Sequence, residues 1–336
     1  MAHFGSSLLT SQYYCTQCRS GFEYIRWRRE ATMSKTMSMS EAIGRFVPNG
    51  ATVVTGTNLE ALIPFAAGLE IIRQGCRHLT LVGPISDVLF DILIGAGCVK
   101  KLVAAWAGNV SEGLGYNYRR AVESGVPHRL EVEDHSNFSI CLALKAGAMG
   151  IPYLPTRSLL GTDLLAQSQV LRRSTSPLDG SPLVLVPALQ PDVAILAVQR
   201  ADAEGNAHMW GNLGVAAEAA LASRQVILVA EEIVPAEVIR SDPNRVLVPG
   251  FKVSAVVHEP GACHPAPVPG FYNRDHRFFT EYHSESKSRE GFQDWLQRWV
   301  YEPASRQAYL ARLGDVRWAD LQKRRSLLAA PVDYGY

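Results

Sequence analysis

The chain has 336 residues, of which 47% are hydrophobic, so it can bury the core of one large α/β domain or of two smaller ones. Its 33 Lys and Arg residues against 32 Asp and Glu give a net charge of +1, which argues against a nucleic-acid partner because phosphate binding needs a clustered positive excess. The longest apolar stretches, such as 140–149, fall short of the ~20 residues that a bilayer span requires, so we expect no membrane segment.

Residues 1–32 show neither a helical nor a strand period, and we interpret them as an N-terminal extension, either disordered or an artefact of a start site upstream of Met33. Within them Cys15 and Cys18 form a C-x-x-C pair, for which chance spacing outweighs a zinc site because no further ligands follow nearby. The six cysteines are too scattered for a disulfide framework, so we expect a reducing, cytoplasmic location.

From residue 33 onward, short β-branched runs alternate with longer amphipathic ones. Runs that are apolar on both faces are typical of a parallel sheet covered by helices. The sequence therefore predicts the α/β fold class, with residues 33–336 forming one domain around an open, largely parallel sheet with helices on both faces. The predicted strands are 51–56, 79–83, 101–106, 183–187, 193–198, 225–230 and 252–257, and the predicted helices are 61–74, 116–124, 138–149, 288–301 and 303–313.

The turn after the first predicted strand is the first candidate binding site, because ligands of open α/β sheets bind at the carboxyl ends of strands. It reads Thr55-Gly56-Thr57-Asn58. Backbone N–H groups in such a turn can bind a carboxylate or an oxyanion, and glycine permits a close approach. The alternative is that Thr57 or Asn58 caps the following helix.

Two further strand ends carry polar residues. The glycine-rich loop 107–115 offers Ser111 as a substrate contact on a mobile loop, although a plain surface loop has the same composition. In 131–137 a short strand runs into a helix, and Ser136 and Asn137 are candidates there. Capping of that helix by Ser136 or by the acidic residue two positions earlier is the alternative.

Two basic residues stand in stiff segments of the chain. Arg157 follows two prolines and precedes a Gly-Thr-Asp turn, so its guanidinium is a candidate partner for a carboxylate or a phosphate of a substrate, or else for an internal ion pair. We interpret His264, in the sequence ACHPAP, as a hydrogen-bonded turn histidine. No phosphate loop, H-E-x-x-H, G-x-S-x-G or G-x-G-x-x-G signature occurs in the sequence.

From Met33 to about Leu313 the chain resembles the A (alpha) subunit of glutaconate CoA-transferase and its relatives among the family I CoA-transferases. The resemblance lies in MSKTMSMSEAIGRFVPNGATVVTG, EVEDHSN, GIPYLPTRSLLG, PALQPDVAILAVQRADAEGNAHMWG and FQDWLQRWV, which follow one another in the same order. The 55–58 turn departs from the family's Gly-Gly-Phe. Ser136 stands where related ring-cleaving acyl-CoA hydrolases carry an acidic residue, whereas Arg157 resembles an arginine of those hydrolases.

The resemblance implies a fold of the sugar-isomerase-like superfamily and an enzyme that moves CoA between carboxylic acids. It implies that the attacking glutamate belongs to a partner B subunit in a heterodimer or heterotetramer, so that this chain has no catalytic residue of its own. Glu123, in Glu-Ser-Gly, ends a predicted helix and is not taken as the nucleophile. No metal or permanently bound cofactor is expected, with CoA esters as substrates. The alternatives are one subunit of a CoA-ester hydrolase and a non-catalytic ligand-sensing module.

Overall fold

The structure, a computed structural model, describes residues 34–322. The expectations for residues 1–32, including Cys15 and Cys18, lie outside this range. Its α-helices are α1 Met39–Phe46, α2 Phe65–Arg73, α3 Val88–Gly95, α4 Tyr116–Glu123, α5 Asn137–Met149, α6 Asp163–Gln167, α7 Ala216–Ala222, α8 Ala236–Arg240, α9 His276–Ser286, α10 Arg289–Leu296, α11 Arg306–Ala311 and α12 Asp315–Leu321. Short 3-10 helices cover Pro243–Arg245 and Gly250–Lys252, and a π-helical turn covers Gln297–Tyr301.

The strands form one large sheet and two small ones. They are β1 Thr52–Val54, β2 Leu79–Gly83, β3 Val99–Ala104, β4 Gly108–Asn109, β5 Gly113–Leu114, β6 Glu131–Asp134, β7 Tyr153–Thr156, β8 Arg172–Thr175, β9 Pro182–Pro187, β10 Val193–Ala201, β11 Ala207–His208, β12 Gln225–Ile233 and β13 Ala255–His258. The large sheet has the order β13-β12-β10-β1-β2-β3-β6, in which every neighbouring pair is parallel, and β11 adds an antiparallel bridge to β10. The predicted open, largely parallel sheet is confirmed.

Alternate residues of the strands feed two hydrophobic cores on opposite faces of the sheet. Val53 packs in one core and its neighbour Val54 in the other, as the period of two in a strand requires. Helices α1, α2, α3, α9 and α10 contribute to the first core, and α5 and α7 to the second. Helices therefore cover both faces, as the doubly apolar strand runs indicate.

The predicted strand 183–187 does not join the parallel sheet. It forms β9, which pairs antiparallel with β7 on one side and β8 on the other. Val184 and Val186 on one face of β9 pack against Ala143 of α5, while the intervening residues are less buried. An apolar run predicts a strand but not its partners, which explains the error.

The helix predicted at 61–74 begins only at Phe65. Pro64 precedes its first turn, and Leu62 has a φ of 53°, a left-handed conformation that no helix accommodates. Because Pro64 rather than Thr57 or Asn58 precedes the helix, the alternative that these two residues cap it is wrong.

Two predicted strands are shifted along the chain. The strand predicted at 101–106 runs from Val99 to Ala104, because the N–H groups of the next two residues both donate to the carbonyl of Pro84 instead of a neighbouring strand. The strand predicted at 252–257 begins at Ala255, after a 3-10 turn. In both cases local hydrogen bonds override the apolar pattern.

Among residues 34–322, no helix is both long and apolar enough to cross a membrane.

Candidate functional site

Four loops meet at one edge of the large sheet. They follow the neighbouring strands β1, β2, β3 and β6, which run parallel and therefore end on the same side. The loop after β1 is Thr55–Asn58, and the loop after β2 holds Ser86 and Asp87. This edge is where open α/β folds bind ligands.

The turn after β1 is buried and tightly packed. Gly56 has a φ of 66°, and a Cβ atom there would lie 2.3 Å from Ser86 Oγ, so only glycine fits. The Thr57 hydroxyl donates to Asn58 Oδ1 at 2.8 Å, and Asn58 Nδ2 donates to the carbonyl of Asn212 at 2.7 Å. The side chains of Thr57 and Asn58 thus hold the turn, while the backbone N–H groups of Gly56 and Thr57 make no hydrogen bond with a described residue.

An ion pair that the sequence analysis missed lies beside this turn. Arg274 Nη2 lies 2.7 Å from Asp87 Oδ2, and Asp87 Oδ1 accepts hydrogen bonds from the N–H groups of Val88 and Val110 at 2.9 and 3.1 Å. Burial raises the pKa of Asp87, although Arg274 opposes the rise. Asp87 has a φ of 45°, which is strained for a residue with a side chain.

Ser111 sits on a hairpin, β4–β5, that is fastened to the segment around α9. Its hydroxyl accepts a hydrogen bond from Arg274 Nη2 at 3.0 Å. On the same hairpin Asn109 Nδ2 donates to the carbonyl of Phe279 at 2.8 Å, and Glu112 accepts from Thr280 at 2.8 Å. Ser111 is therefore brought next to the Asp87–Arg274 pair, on a loop with three side-chain tethers.

Ser136 serves as the N-cap of α5. Its hydroxyl accepts from the N–H of Ser139 at 3.0 Å, and the Ser139 hydroxyl accepts from the N–H of Ser136 at 2.9 Å, which is a reciprocal capping arrangement. Asn137, the first helical residue, is exposed, and its side chain makes no hydrogen bond with a described residue. The alternative that Ser136 caps the helix is confirmed.

The carboxylate before this cap is tied into a small network. Glu133 contacts His135 Nε2 at 3.0 Å and Lys101 Nζ at 2.6 Å. The hydrogen bond from His135, followed by the Lys101 contact, outweighs burial and lowers the pKa of Glu133 to about 2. His135 Nδ1 also lies 3.0 Å from Ser139 Oγ, but Ser139 is buried and engaged in the cap. This Ser-His-Glu sequence of contacts is therefore structural rather than nucleophilic.

Arg157 and Glu123 do not belong to the loops that follow β1, β2, β3 and β6. Arg157 follows β7 of the small antiparallel sheet, and its exposed guanidinium makes no ion pair or hydrogen bond with a described residue. The alternative of an internal ion pair is thus wrong within the described range. Glu123 ends α4, as predicted, and pairs with Arg119 one turn earlier at 2.9 Å.

A second buried network holds the segment that carries Arg274. Asp275 receives two hydrogen bonds from Arg317, at 2.8 and 3.0 Å, and one from His264 Nε2 at 2.9 Å. Burial alone would raise the pKa of Asp275, but these hydrogen bonds hold it at about 2. His264 Nδ1 lies 3.1 Å from the hydroxyl of Tyr309, so the interpretation as a hydrogen-bonded histidine is confirmed.

The sequence contained a signal for some of these site residues but not for Arg274. Ser86 and Asp87 lie three and four residues after the end of a correctly predicted strand, so their place in the loop after β2 was available as a signal. Arg274 had no such signal, because it lies 163 residues after its partner Ser111. In residues 34–322, no group of three or more His, Cys, Asp or Glu side chains is placed to hold a metal ion.

Comparisons with known proteins bear on this arrangement. The family model described as Coenzyme A transferase matches residues 36–259. The chain is 39% identical to the A subunit of 3-oxoadipate CoA-transferase from Pseudomonas knackmussii, over 80% of this chain and 94% of that protein. It is 32% identical to the A subunit of glutaconate CoA-transferase from Acidaminococcus fermentans, over 86% of this chain and 95% of that protein.

The crystal structure of glutaconate CoA-transferase from Acidaminococcus fermentans has a TM-score of 0.83 to this chain at 31% identity, over 88% of this chain and 97% of the matched one. A more distant relative has a different activity in its name. The cholesterol ring-cleaving hydrolase IpdA subunit of Rhodococcus jostii is 26% identical, over 79% of this chain and 92% of that protein.

Proposed function

This chain belongs to the coenzyme A transferase family as an A-type subunit, and from that premise we propose that it supplies the acyl-binding side of an enzyme that moves CoA between carboxylic acids. Family membership makes it part of an enzyme rather than a ligand-sensing module. The attacking glutamate is provided by a partner B subunit. The names of the relatives, which are A subunits, support a heteromeric assembly.

The reaction starts when the partner's glutamate carboxylate attacks the carbonyl carbon of an acyl-CoA thioester. The C–S bond breaks, CoA leaves as a thiolate, and an acyl-glutamyl anhydride remains. The thiolate then attacks the glutamyl carbonyl, which forms a glutamyl-CoA thioester and releases the first acid as a carboxylate. A second carboxylate runs these steps in reverse, so that it becomes the new CoA ester and the glutamate is restored.

This chain's contribution is to bind and polarise the acyl group. The single observation that carries the proposal is the turn after β1, where the N–H groups of Gly56 and Thr57 make no hydrogen bond with a described residue. Such N–H groups stabilise a developing oxyanion in a site from which water is excluded. Thr57 and Asn58 hold the turn in shape through their side chains.

The other candidate contacts extend the same proposal. Ser111 lies beside the strand-end ion pair. Ser136 and Asn137 stand at the start of α5, beside the neighbouring strand end. The exposed guanidinium of Arg157 is available for a substrate carboxylate or a CoA phosphate, and removing it is expected to weaken substrate use by roughly tenfold or more.

No metal or resident cofactor takes part in the proposed reaction, and CoA esters enter only as substrates. The proposal includes a cytoplasmic location. The unpaired cysteines Cys76, Cys98, Cys141 and Cys263 support it, because thiols stay reduced in that compartment.

The test is to purify the chain alone and in complex with a B subunit of the same family. We expect CoA transfer between two acids only in the complex. After acyl-CoA is added and the adduct reduced with borohydride, mass spectrometry should find the modified glutamate on the partner. The matched control is Glu123→Ala, which should leave transfer unchanged because Glu123 pairs with Arg119 at an exposed helix end.

Two results would contradict the proposal. Transfer by the isolated chain that Glu123→Ala abolishes would place the nucleophile in this chain. Consumption of CoA esters by the complex with no modified glutamate on either protein would favour the CoA-ester hydrolase instead.

A further inference from the structure

Of the two terminal nitrogens of Arg274, only Nη2 makes a hydrogen bond with a described residue. Its Nη2 contacts both Asp87 Oδ2, at 2.7 Å, and Ser111 Oγ, at 3.0 Å. Its Nη1 is buried and makes no hydrogen bond, and the carboxylate of Glu60 lies 4.0 Å away from it. A buried donor without an acceptor costs free energy, so its place at a ligand-binding edge needs an explanation.

The direction of Nη1 is fixed by the surroundings of Arg274. The guanidinium carbon lies 3.7 Å from the centre of the Phe279 ring, and the arginine side chain is only 10% exposed. The next residue, Asp275, is held by Arg317 and His264. A donor held in this way is preorganised for an acceptor that the isolated chain does not provide.

A second polar group without a hydrogen-bond partner belongs to Ser86, the residue before Asp87. The Ser86 hydroxyl is fully buried and has no hydrogen-bond partner among the described residues. It lies against Gly56, where an added Cβ atom would come within 2.3 Å of the Ser86 oxygen. Ser86 precedes Asp87 in the chain, and Arg274 forms an ion pair with the Asp87 carboxylate. Thr55 Oγ1 and Asp87 Oδ2 are also buried without a hydrogen-bond partner among the described residues. These unsatisfied groups, on the loops after β1 and β2 and on the segment before α9, indicate a site for an oxygen-bearing ligand.

The charge balance decides which oxygen fits. Asp87 already neutralises Arg274, and Glu60 adds a second negative charge near Nη1. A further carboxylate placed there would be repelled and desolvated without a free positive charge to offset it. A carbonyl or hydroxyl oxygen accepts the same hydrogen bond without that penalty.

We infer that Arg274 is a specificity-determining residue whose Nη1 donates to an uncharged carbonyl or hydroxyl oxygen on the acyl chain of the substrate. The Glu60 side chain, which is 53% exposed, moves into solvent to admit the substrate. This inference rests on the proposed function for the identity of the ligand as an acyl group. The site itself consists of residues of this chain alone.

The experiment compares acids of one length in complex with the B subunit. The probes are butyrate, 3-oxobutyrate and succinate, and the six-carbon set hexanoate, 3-oxohexanoate and adipate. For each acid we measure kcat/KM as CoA acceptor and, separately, the dissociation constant by calorimetry. The variant is Arg274→Lys, which keeps a cation for Asp87 but loses the second nitrogen, and the control is Arg277→Lys, an exposed arginine paired with Glu281.

We expect the wild type to prefer the 3-oxo acid over the unsubstituted one by about tenfold or more in at least one set. Arg274→Lys should remove most of that preference, because kcat/KM falls more for the 3-oxo acid than for the unsubstituted one, and Arg277→Lys should retain it. A preference that survives Arg274→Lys, no preference at all, or a preference for the dicarboxylate that depends on Arg274 would overturn the inference. Selective binding without any CoA transfer would refute the proposed function and leave the inference standing.

Discussion

At the scale of single residues, burial and two hydrogen-bond partners set the protonation state of His264. It is fully buried, and its Nε2 donates to Asp275 while its Nδ1 faces the hydroxyl of Tyr309. Burial lowers the pKa of His264 to about 4, although Asp275 acts in the opposite direction. The imidazole is therefore neutral near pH 7, with its proton on Nε2.

This pKa predicts a pH dependence of stability. The unfolded histidine has a pKa of about 6.5 and takes up a proton that the folded one refuses until about pH 4, so folding loses stability as the pH falls through this window. The slope of the unfolding free energy against pH measures how many more protons the unfolded state binds than the folded state. We expect His264→Gln to lower this slope, between pH 6.5 and 4, by the amount that corresponds to about one proton, or about 1.4 kcal/mol per pH unit. Urea unfolding at several pH values measures it.

The control for this prediction is His276→Gln, since His276 is exposed at the start of α9. Its substitution should leave the slope as it is. An unchanged slope in His264→Gln would show that His264 is charged in the folded protein.

At the scale of secondary structure, the ends of helices and their contacts decide which residues are structural. Ser136 caps α5, whereas Asn137 presents a free side chain in the next position. Further along the same helix Gly147 meets the carbonyl of Leu189 so closely that an added Cβ would lie within 1.9 Å of it. Ser136 therefore fixes the start of α5, and Gly147 permits the helix to pack closely against the backbone at Leu189.

Ser136→Ala should lower the free energy of unfolding by about 1 kcal/mol because the cap is lost, with a smaller effect on substrate use than Arg157→Ala. Asn137→Ala is the matched control and should change stability by less than about 0.5 kcal/mol. Chemical denaturation measures stability, and CoA transfer by the complex measures substrate use. A loss of activity in Ser136→Ala larger than that in Arg157→Ala, at unchanged stability, would contradict this prediction.

Gly147→Ala should destabilise the protein by about 1–3 kcal/mol, because the new methyl group must push α5 away from the backbone at Leu189. Gly44→Ala in α1 is the control, since its added Cβ would meet only the flexible end of Gln74, at 3.2 Å. Thermal unfolding of the two variants compares them. Equal melting temperatures would contradict the close packing at Gly147.

At the scale of the whole molecule, the N-terminal extension is the part whose role remains a prediction. Residues 1–32 show no helical or strand period, and we expect their apolar residues not to suffice to offset their ordering entropy. We therefore expect a chain that begins at Met33 to keep its melting temperature and its binding to the B subunit. A loss of several degrees on truncation would show that these residues belong to the fold.

Some of this protein could be predicted from its sequence because the signals are local. The strand 79–83 was predicted with its observed bounds, and the alternation of β-branched and amphipathic runs predicted the parallel sheet, since each buried strand must be apolar on both faces. The resemblance in several ordered blocks predicted the family. In each case neighbouring residues contain the whole pattern.

The tertiary structure alone decided which side chains meet at the strand ends. It placed Arg274 against Asp87 and Ser111 and left Nη1 without a partner among the described residues, although no pattern around Arg274 marks it. It also assigned 183–187 to a separate antiparallel sheet. Contacts between residues far apart in the chain depend on how whole layers pack, and local propensity contains no information about that packing.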